Sequence, residues 1–400
     1  MSERERPYDV VVFGATGFTG SLVADYLTRH AGPEVAWAIA GRSGTKLAEL
    51  IGRLSTIEGG RPPRGALEAD IADPASIEKM TASTRVLVTT VGPFDEYGAP
   101  VVAACVATGT HYADITGEPS FVDRMIAEHD AAAREKGLRI VSCCGFDSIP
   151  ADLGTFFAVS KLTEADADSA TDDLQTSVRG FVRTRAEFSG GTWHSAVKAM
   201  GNFRRDQKAK KRAGRRDKRS STRKVRGEKG KIHRDATLGA WAMPLPTIDP
   251  LIVLRSARAL DVYGTRFTYG HYLQSGKVSK VVKTVVGGGA VFALAQLPPT
   301  RKMLLSVKKP GAGPDAETRA KSLFTLTFVA TRGDRTLVTE VAGGDPGYDE
   351  TSKMLAETAL CLAFDELPDA AGVTTPAIAM GHALIERLQA AGIRFAVVED

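Results

Sequence analysis

Seven consecutive residues, Gly14-Ala15-Thr16-Gly17-Phe18-Thr19-Gly20, have the glycine spacing of a turn that cradles a pyrophosphate. The first glycine permits a tight passage from strand to helix, the second lets a phosphate approach the backbone, and the third lets the helix pack closely. The start of the helix adds N–H donors and the positive end of its dipole. A dinucleotide is the ligand such a turn suits. Where an NAD site places an acid for the ribose 2′-hydroxyl, this chain reads Ala40-Gly41-Arg42-Ser43, with Lys46 one turn on. A guanidinium beside a hydroxyl and an ammonium pairs with a 2′-phosphate, so NADPH is the expected cofactor. Asp70 is expected near the adenine, and Val91-Gly92-Pro93 beside the nicotinamide.

Candidates for acid or orienting roles follow: Tyr97, Asp114, Glu118 and Asp147. Asp114 and Glu118 could equally cap a turn, and Asp147, Ser148 and Asp152 a helix start. Other chemistries find no support. None of the eight tyrosines has lysine four residues on, no GxSxG or HExxH occurs, and the seven histidines lack metal-ligand spacing. No metal is expected. The four cysteines show no CxxC pair and suit a reducing compartment.

These residues need a scaffold, and the pattern up to residue 150 supplies one. Apolar runs at Tyr8–Phe13, Val35–Ala40, Ala66–Ala69, Arg85–Val91, near Tyr112 and at Leu138–Ser142 alternate with helical patterns. Alternation of this kind predicts an α/β fold, a doubly wound Rossmann sheet over 1–150 that places the candidates at the carboxyl ends of its strands. From 151 to 350 the chain is richer in Val, Thr, Phe and Tyr with partial alternation. An α+β substrate or dimerisation domain with an antiparallel sheet is expected there, followed by helices in 351–400 packing back on the first domain or on its partner. The 400 residues, 43% hydrophobic and 25% charged, suit such a multi-domain globular chain and not a disordered one.

Charge is concentrated. Residues 204–234 hold 16 Lys/Arg against three acids, whereas the whole chain carries only +5. This insertion could be a solvated loop or could attract an acidic acyl carrier protein or an anionic membrane surface; the absence of aromatics within it disfavours nucleic acid. The start of the chain has no apolar core of a secretory signal, and the apolar stretch Thr284–Leu297 is too short to span a bilayer. A cytoplasmic protein, at most peripherally membrane-associated, is expected. Within that apolar stretch, Val285–Leu297 could accommodate an acyl chain.

The sequence resembles the saccharopine dehydrogenase-like oxidoreductases, in particular their trans-acting enoyl reductase subgroup. The blocks that carry the resemblance are GATGFTG (14–20), AGR (40–42), VGPF (91–94), YGAPVVAACVATGTHYADITGE (97–118), GFDSIPADLG (145–154), GTWHS (191–195), PGAGP (310–314), GDPGYDET (344–351) and TTPAIAMG (374–381). It implies a Rossmann domain completed by C-terminal helices, a second α/β domain that could form a homodimer, and NADPH-dependent reduction of an enoyl group on a lipid or polyketide precursor, free or carrier-bound. The alternatives are an imine or keto reductase and a lipid-associated protein that binds the cofactor without turnover.

Overall fold

The computed structural model describes residues 6–164, 174–186, 197, 200–201, 223–307 and 313–398. They fall into two units, Met1–Leu153 with Tyr348–Arg394, and Gly154–Gly347 with Phe395–Asp400. Residues 204–222 of the basic insertion, the GTWHS block and residues 310–312 lie outside the described residues.

In the first unit the chain alternates β1 (Tyr8–Phe13), α1 (Phe18–His30), β2 (Trp37–Gly41), α2 (Gly44–Leu54), β3 (Gly65–Glu68), α3 (Pro74–Ala82), β4 (Thr84–Thr89), α4 (Phe94–Thr108), β5 (His111–Asp114), α5 (Pro119–Glu135) and β6 (Arg139–Val141). The sheet runs β3-β2-β1-β4-β5-β6 and is parallel throughout, as in a doubly wound dinucleotide fold. β1 lies at its centre with Val10, Val11 and Val12 fully buried. A strand covered on both faces must be apolar at every position, which is why these strands read as continuous runs.

A seventh parallel strand, Gly372–Thr374, joins the sheet beside β6, an addition the sequence reading did not anticipate. It is too short to carry a signal of its own. Its place is fixed from a distance: Asp130 of α5 accepts from the Val373 N–H at 3.0 Å, and Asp152 accepts from Ala377 N–H at 2.9 Å. The helix Asp349–Phe364 packs on α1, with 13 of its 16 residues buried. Tyr26 of α1 donates to Glu357 of that helix at 2.7 Å, and Arg387 pairs with both Glu357 and Asp365. The helix that carries the glycine turn is thereby clamped along its length.

The second unit is built on an eight-stranded sheet ordered β15-β13-β12-β7-β11-β10-β9, with β8 also on β11. Its strands are β7 (Gln175–Arg185), β8 (Lys224–Gly227), β9 (His233–Arg234), β10 (Trp241–Pro244), β11 (Arg266–Ser275), β12 (Leu323–Arg332), β13 (Arg335–Gly343) and β15 (Arg394–Val397); Gly372–Thr374 of the first unit is β14. The expected antiparallel pairing is present between β7, β12 and β13 and between β9, β10 and β11, and the sheet as a whole is mixed, because β11 runs parallel to β7 and β8. Alternation along a strand marks which face is buried and says nothing of its neighbour's direction. One face, with Val178, Phe267 and Phe328, is buried; the helix Asp249–Ala259 packs on β8 and β11, and Gly154 of α6 (Ile149–Glu164) lies against Phe328.

Candidate cofactor and active site

Gly14 follows β1 with φ +85°, a conformation that disfavours any side chain. Its N–H donates to Ala40 O of β2 at 2.9 Å, and Gly17 N–H donates back to Gly14 O at 3.0 Å. A Cβ on Gly20 would stand 2.1 Å from the Gly14 carbonyl oxygen. The third glycine is therefore what brings α1 against the turn. No side chain caps α1 and no acid sits in its first turn, so its positive end is not neutralised from within. Ala15 is buried beneath, while Thr16 and Gly17 face outward. This geometry fits a pyrophosphate.

Two supports of the turn come from the far end of the chain. The ring of Tyr348 meets that of Phe18 edge-on at 4.7 Å, and Ser352 Oγ donates to Thr19 O at 3.4 Å. Both lie in or next to the GDPGYDET block. That block was visible in the sequence, but not its placement beside Phe18, 330 residues away.

Arg42 leaves the end of β2 exposed, with no hydrogen-bond or ion-pair partner among the described residues, and Lys46 is exposed one turn on. Ser43 caps α2, accepting from Lys46 N–H at 3.4 Å. Glu68, at the end of β3, lies against Gly44, where a Cβ would stand 2.2 Å from its Oε1. Asp70 accepts from Ala72 N–H at 3.0 Å, so its carboxylate shapes the β3–α3 turn. Val91 packs on Gly14, its Cγ2 2.7 Å from where a Cβ would be, and carries the exposed Gly92 and the half-buried Pro93 to the rim beside the glycine turn.

The candidate acids sort by their partners. Glu118 accepts from Phe94 and Asp95 N–H at 3.1 and 2.9 Å, neutralising the start of α4 as a capping carboxylate. Asp114 is fully buried. Its Oδ1 accepts from Thr116 N–H at 2.9 Å and Cys143 N–H at 3.1 Å, and its Oδ2 from Ser142 Oγ at 3.0 Å, which ties the ends of β5 and β6 together. Tyr97 is 41% exposed on the first turns of α4. Asp147 is exposed over Gly117, with Oδ2 3.1 Å from a Cβ position there.

Next to it stands Ser148, read above as a possible cap of the helix start. Ser148 has φ +130°, and its buried Oγ has no hydrogen-bond partner among the described residues. An orphaned buried hydroxyl and a positive φ at the carboxyl edge set Ser148 apart from its neighbours. No sequence signal separates Ser148 from an ordinary helix cap. Among the described residues no group of His, Cys, Asp and Glu could hold a metal. The four cysteines are buried without disulfides, and burial raises the thiols of Cys105, Cys144 and Cys361.

Burial pushes the Asp114 carboxyl up from 3.8 to about 6, against the lowering by its hydrogen bonds. The native state then holds this proton more tightly than the unfolded chain does. Its contribution to stability is full below about pH 4 and is lost, by roughly 3 kcal/mol, as pH rises through 6. Asp114→Asn keeps an oxygen for both N–H donors and a polar atom for Ser142. The expected result is a folded protein whose urea-unfolding free energy no longer falls between pH 4 and 7. A variant that stays folded and binds NADPH but loses turnover would instead put Asp114 in the chemistry.

Residues 10–141 match the family model described as the saccharopine dehydrogenase NADP binding domain. Over 98% of both chains, the sequence is 38% identical to a Mycobacterium tuberculosis protein provisionally named a trans-acting enoyl reductase, and 33% identical to a trans-acting enoyl reductase of Mycobacterium bovis. It is 31% identical to the saccharopine dehydrogenase-like oxidoreductase of Bos taurus, over 100% of this chain and 99% of that one. In structure it is similar to apo saccharopine dehydrogenase (L-Glu forming) from Saccharomyces cerevisiae, with a TM-score of 0.54 at 13% identity over 98% and 100% of the two chains, a likeness of fold.

Proposed function

The chain belongs to the saccharopine dehydrogenase-like oxidoreductase family and is an NADPH-using enzyme, and from that premise we propose that it reduces the α,β-unsaturated bond of an enoyl thioester of a lipid or polyketide precursor. The end-to-end match with proteins that bear the name trans-acting enoyl reductase carries the reading.

When bound, NADPH supplies a hydride. The chain's own part is to bind, orient and exclude water. In this reading the N–H groups of Gly14–Gly20 hold the pyrophosphate, Arg42 and Lys46 the 2′-phosphate, and Val91-Gly92-Pro93 the wall of the nicotinamide site. Ser148 and Tyr97 are the groups able to give a hydrogen bond at the carboxyl edge and the exposed Asp147 is one able to accept it, whereas Asp114 and Glu118 hold that edge in shape. Buried cysteines without disulfides support a cytoplasmic setting.

The test is turnover of NADPH against parallel panels of enoyl thioesters, ketones and imines, with the product's mass as readout. Gain of two hydrogens by an enoyl thioester supports the reading. Turnover only with imines or ketones, or tight NADPH binding with no turnover on any panel, overturns it.

A carrier-bound substrate brings an acidic partner, and the second unit offers it a face. Lys224, Arg226 and Arg266 are exposed on β8 and β11 around a 280 Å³ hollow that Gln175 and Thr268 complete. Register pairs Lys224 and Gln175 with Arg266, so the three cations share one side of the sheet. Reversing all three charges to Glu is expected to raise the apparent KM for a carrier-bound enoyl thioester about tenfold at low salt and leave that for a small thioester unchanged. Equal KM changes for both substrates would remove the docking role.

A further inference from the structure

In the second unit the helix Val278–Ala295 and the helix Pro298–Ser306 form a hairpin of unusual composition. Between Lys277 and Lys309 the sequence has seven Lys/Arg and no Asp or Glu. One face of the longer helix is used: Ala295 is buried with Leu304 and Val197, and Val291 packs beside them. The opposite face is apolar as well. Val286, Ala290, Ala293, Leu294 and Leu297 recur at helical spacing and are exposed, Val286 to 67% and Leu297 to 59%, and Met303 of the second helix is exposed to 56%. A soluble helix normally turns charged residues outward, and a helix apolar on both faces needs a second apolar neighbour.

Charge decides what that neighbour is. Lys277 and Lys283 are exposed at one end of the stripe and Lys302 on the second helix. A second copy of this chain would set the same exposed lysines against these three. An anionic lipid surface would take the apolar stripe into the boundary of its acyl chains and the ammonium groups among its headgroups. Length decides how the helix would sit. Eighteen residues span about 27 Å, short of the ~20 residues a hydrocarbon core requires, and no described helix is long and apolar enough to cross a membrane.

We infer that the hairpin 277–307 docks the protein on an anionic membrane surface, lying along the interface with Val286, Leu294, Leu297 and Met303 inserted. None of these residues belongs to the cofactor site, and the inference stands whether or not the enoyl reading holds.

Flotation of the full chain with vesicles of phosphatidylcholine alone, or mixed equally with phosphatidylglycerol, tests it. The expected result is binding to the anionic vesicles only, weakened by salt. It should fall by about 100-fold or more both in Lys277→Glu/Lys283→Glu/Lys302→Glu and in Leu294→Glu/Leu297→Glu, with NADPH affinity unchanged in each. Three results overturn the inference: no binding of the unaltered chain to anionic vesicles, equal binding to both compositions, or binding that survives both sets of substitutions. A dimer in sedimentation that Leu294→Glu/Leu297→Glu dissolves, without vesicle binding, gives the stripe to a second copy and overturns it too.

Discussion

Gly20→Val is expected to lower NADPH affinity by at least ~1000-fold, a loss of about 4 kcal/mol. The cause is steric and local. A Cβ at this position would stand 2.1 Å from the Gly14 carbonyl oxygen, 2.8 Å from its carbon and 2.9 Å from Ala15 Cα, all backbone atoms that cannot swing aside. Relief requires α1 to lift from the turn, which draws the N–H groups of its first turn away from the pyrophosphate. Because Tyr348 and Ser352 hold Phe18 and Thr19 from the other side, the helix cannot simply slide. The strain also costs about 1–3 kcal/mol of stability, so titration by dihydronicotinamide fluorescence belongs with a melting curve and with Gly20→Ala, which carries the same Cβ and less bulk. Gly52→Ala serves as the control. It lies within α2 with nothing within 4 Å of its Cβ position, and should gain about 0.5–1 kcal/mol with NADPH binding unchanged. NADPH binding by folded Gly20→Val within tenfold of the unaltered chain would sink the account of the turn.

The same contrast explains what the sequence could and could not disclose. The buried parallel strands were legible because burial on both faces leaves no polar position, as Val10-Val11-Val12 shows. The glycine turn was legible because each glycine answers a local demand, and Arg42 because its place after β2 is fixed by the strand before it. What depended on distant partners was not legible. Asp114 and Asp147 look alike as acids in a loop, yet one is sealed by Thr116, Cys143 and Ser142 and the other is exposed over Gly117. The strand Gly372–Thr374 exists because Asp130, over 240 residues earlier, takes up the Val373 N–H. The parallel pairing of β7 with β11 crosses some 90 residues and leaves no mark on either strand. Ser148 is the sharpest case. Its positive φ and orphaned hydroxyl arise from the path of the whole 142–152 segment, and serine itself signals neither.

Arg42→Asp is expected to reverse cofactor preference, with NADPH affinity falling about 100- to 1000-fold and NADH affinity holding or rising. Two effects of the same sign combine. Removing the guanidinium withdraws charge-assisted hydrogen bonds worth roughly 1.5–3 kcal/mol. Placing a carboxylate at the end of β2 then sets like charge against a 2′-phosphate, while offering the ribose 2′-hydroxyl of NADH the acceptor that NAD sites normally carry there. Arg42 is exposed, so screening reduces the Coulombic part and the ratio should shrink as salt rises. Lys46→Ala should do less, about three- to tenfold, because a flexible ammonium makes a point contact where a guanidinium can make two. Glu68 sets the direction of a further comparison. Its carboxylate already lies against Gly44, at the start of the helix beside Arg42, so Glu68→Gln should favour NADPH by a small factor and leave NADH unchanged. The measurement is a pair of titrations, NADPH and NADH, for each variant at two salt concentrations. If Arg42→Asp moves the ratio of the two affinities by less than twofold, the 2′-phosphate is held elsewhere and the assignment of Arg42 falls, although the glycine turn would keep its role with the pyrophosphate.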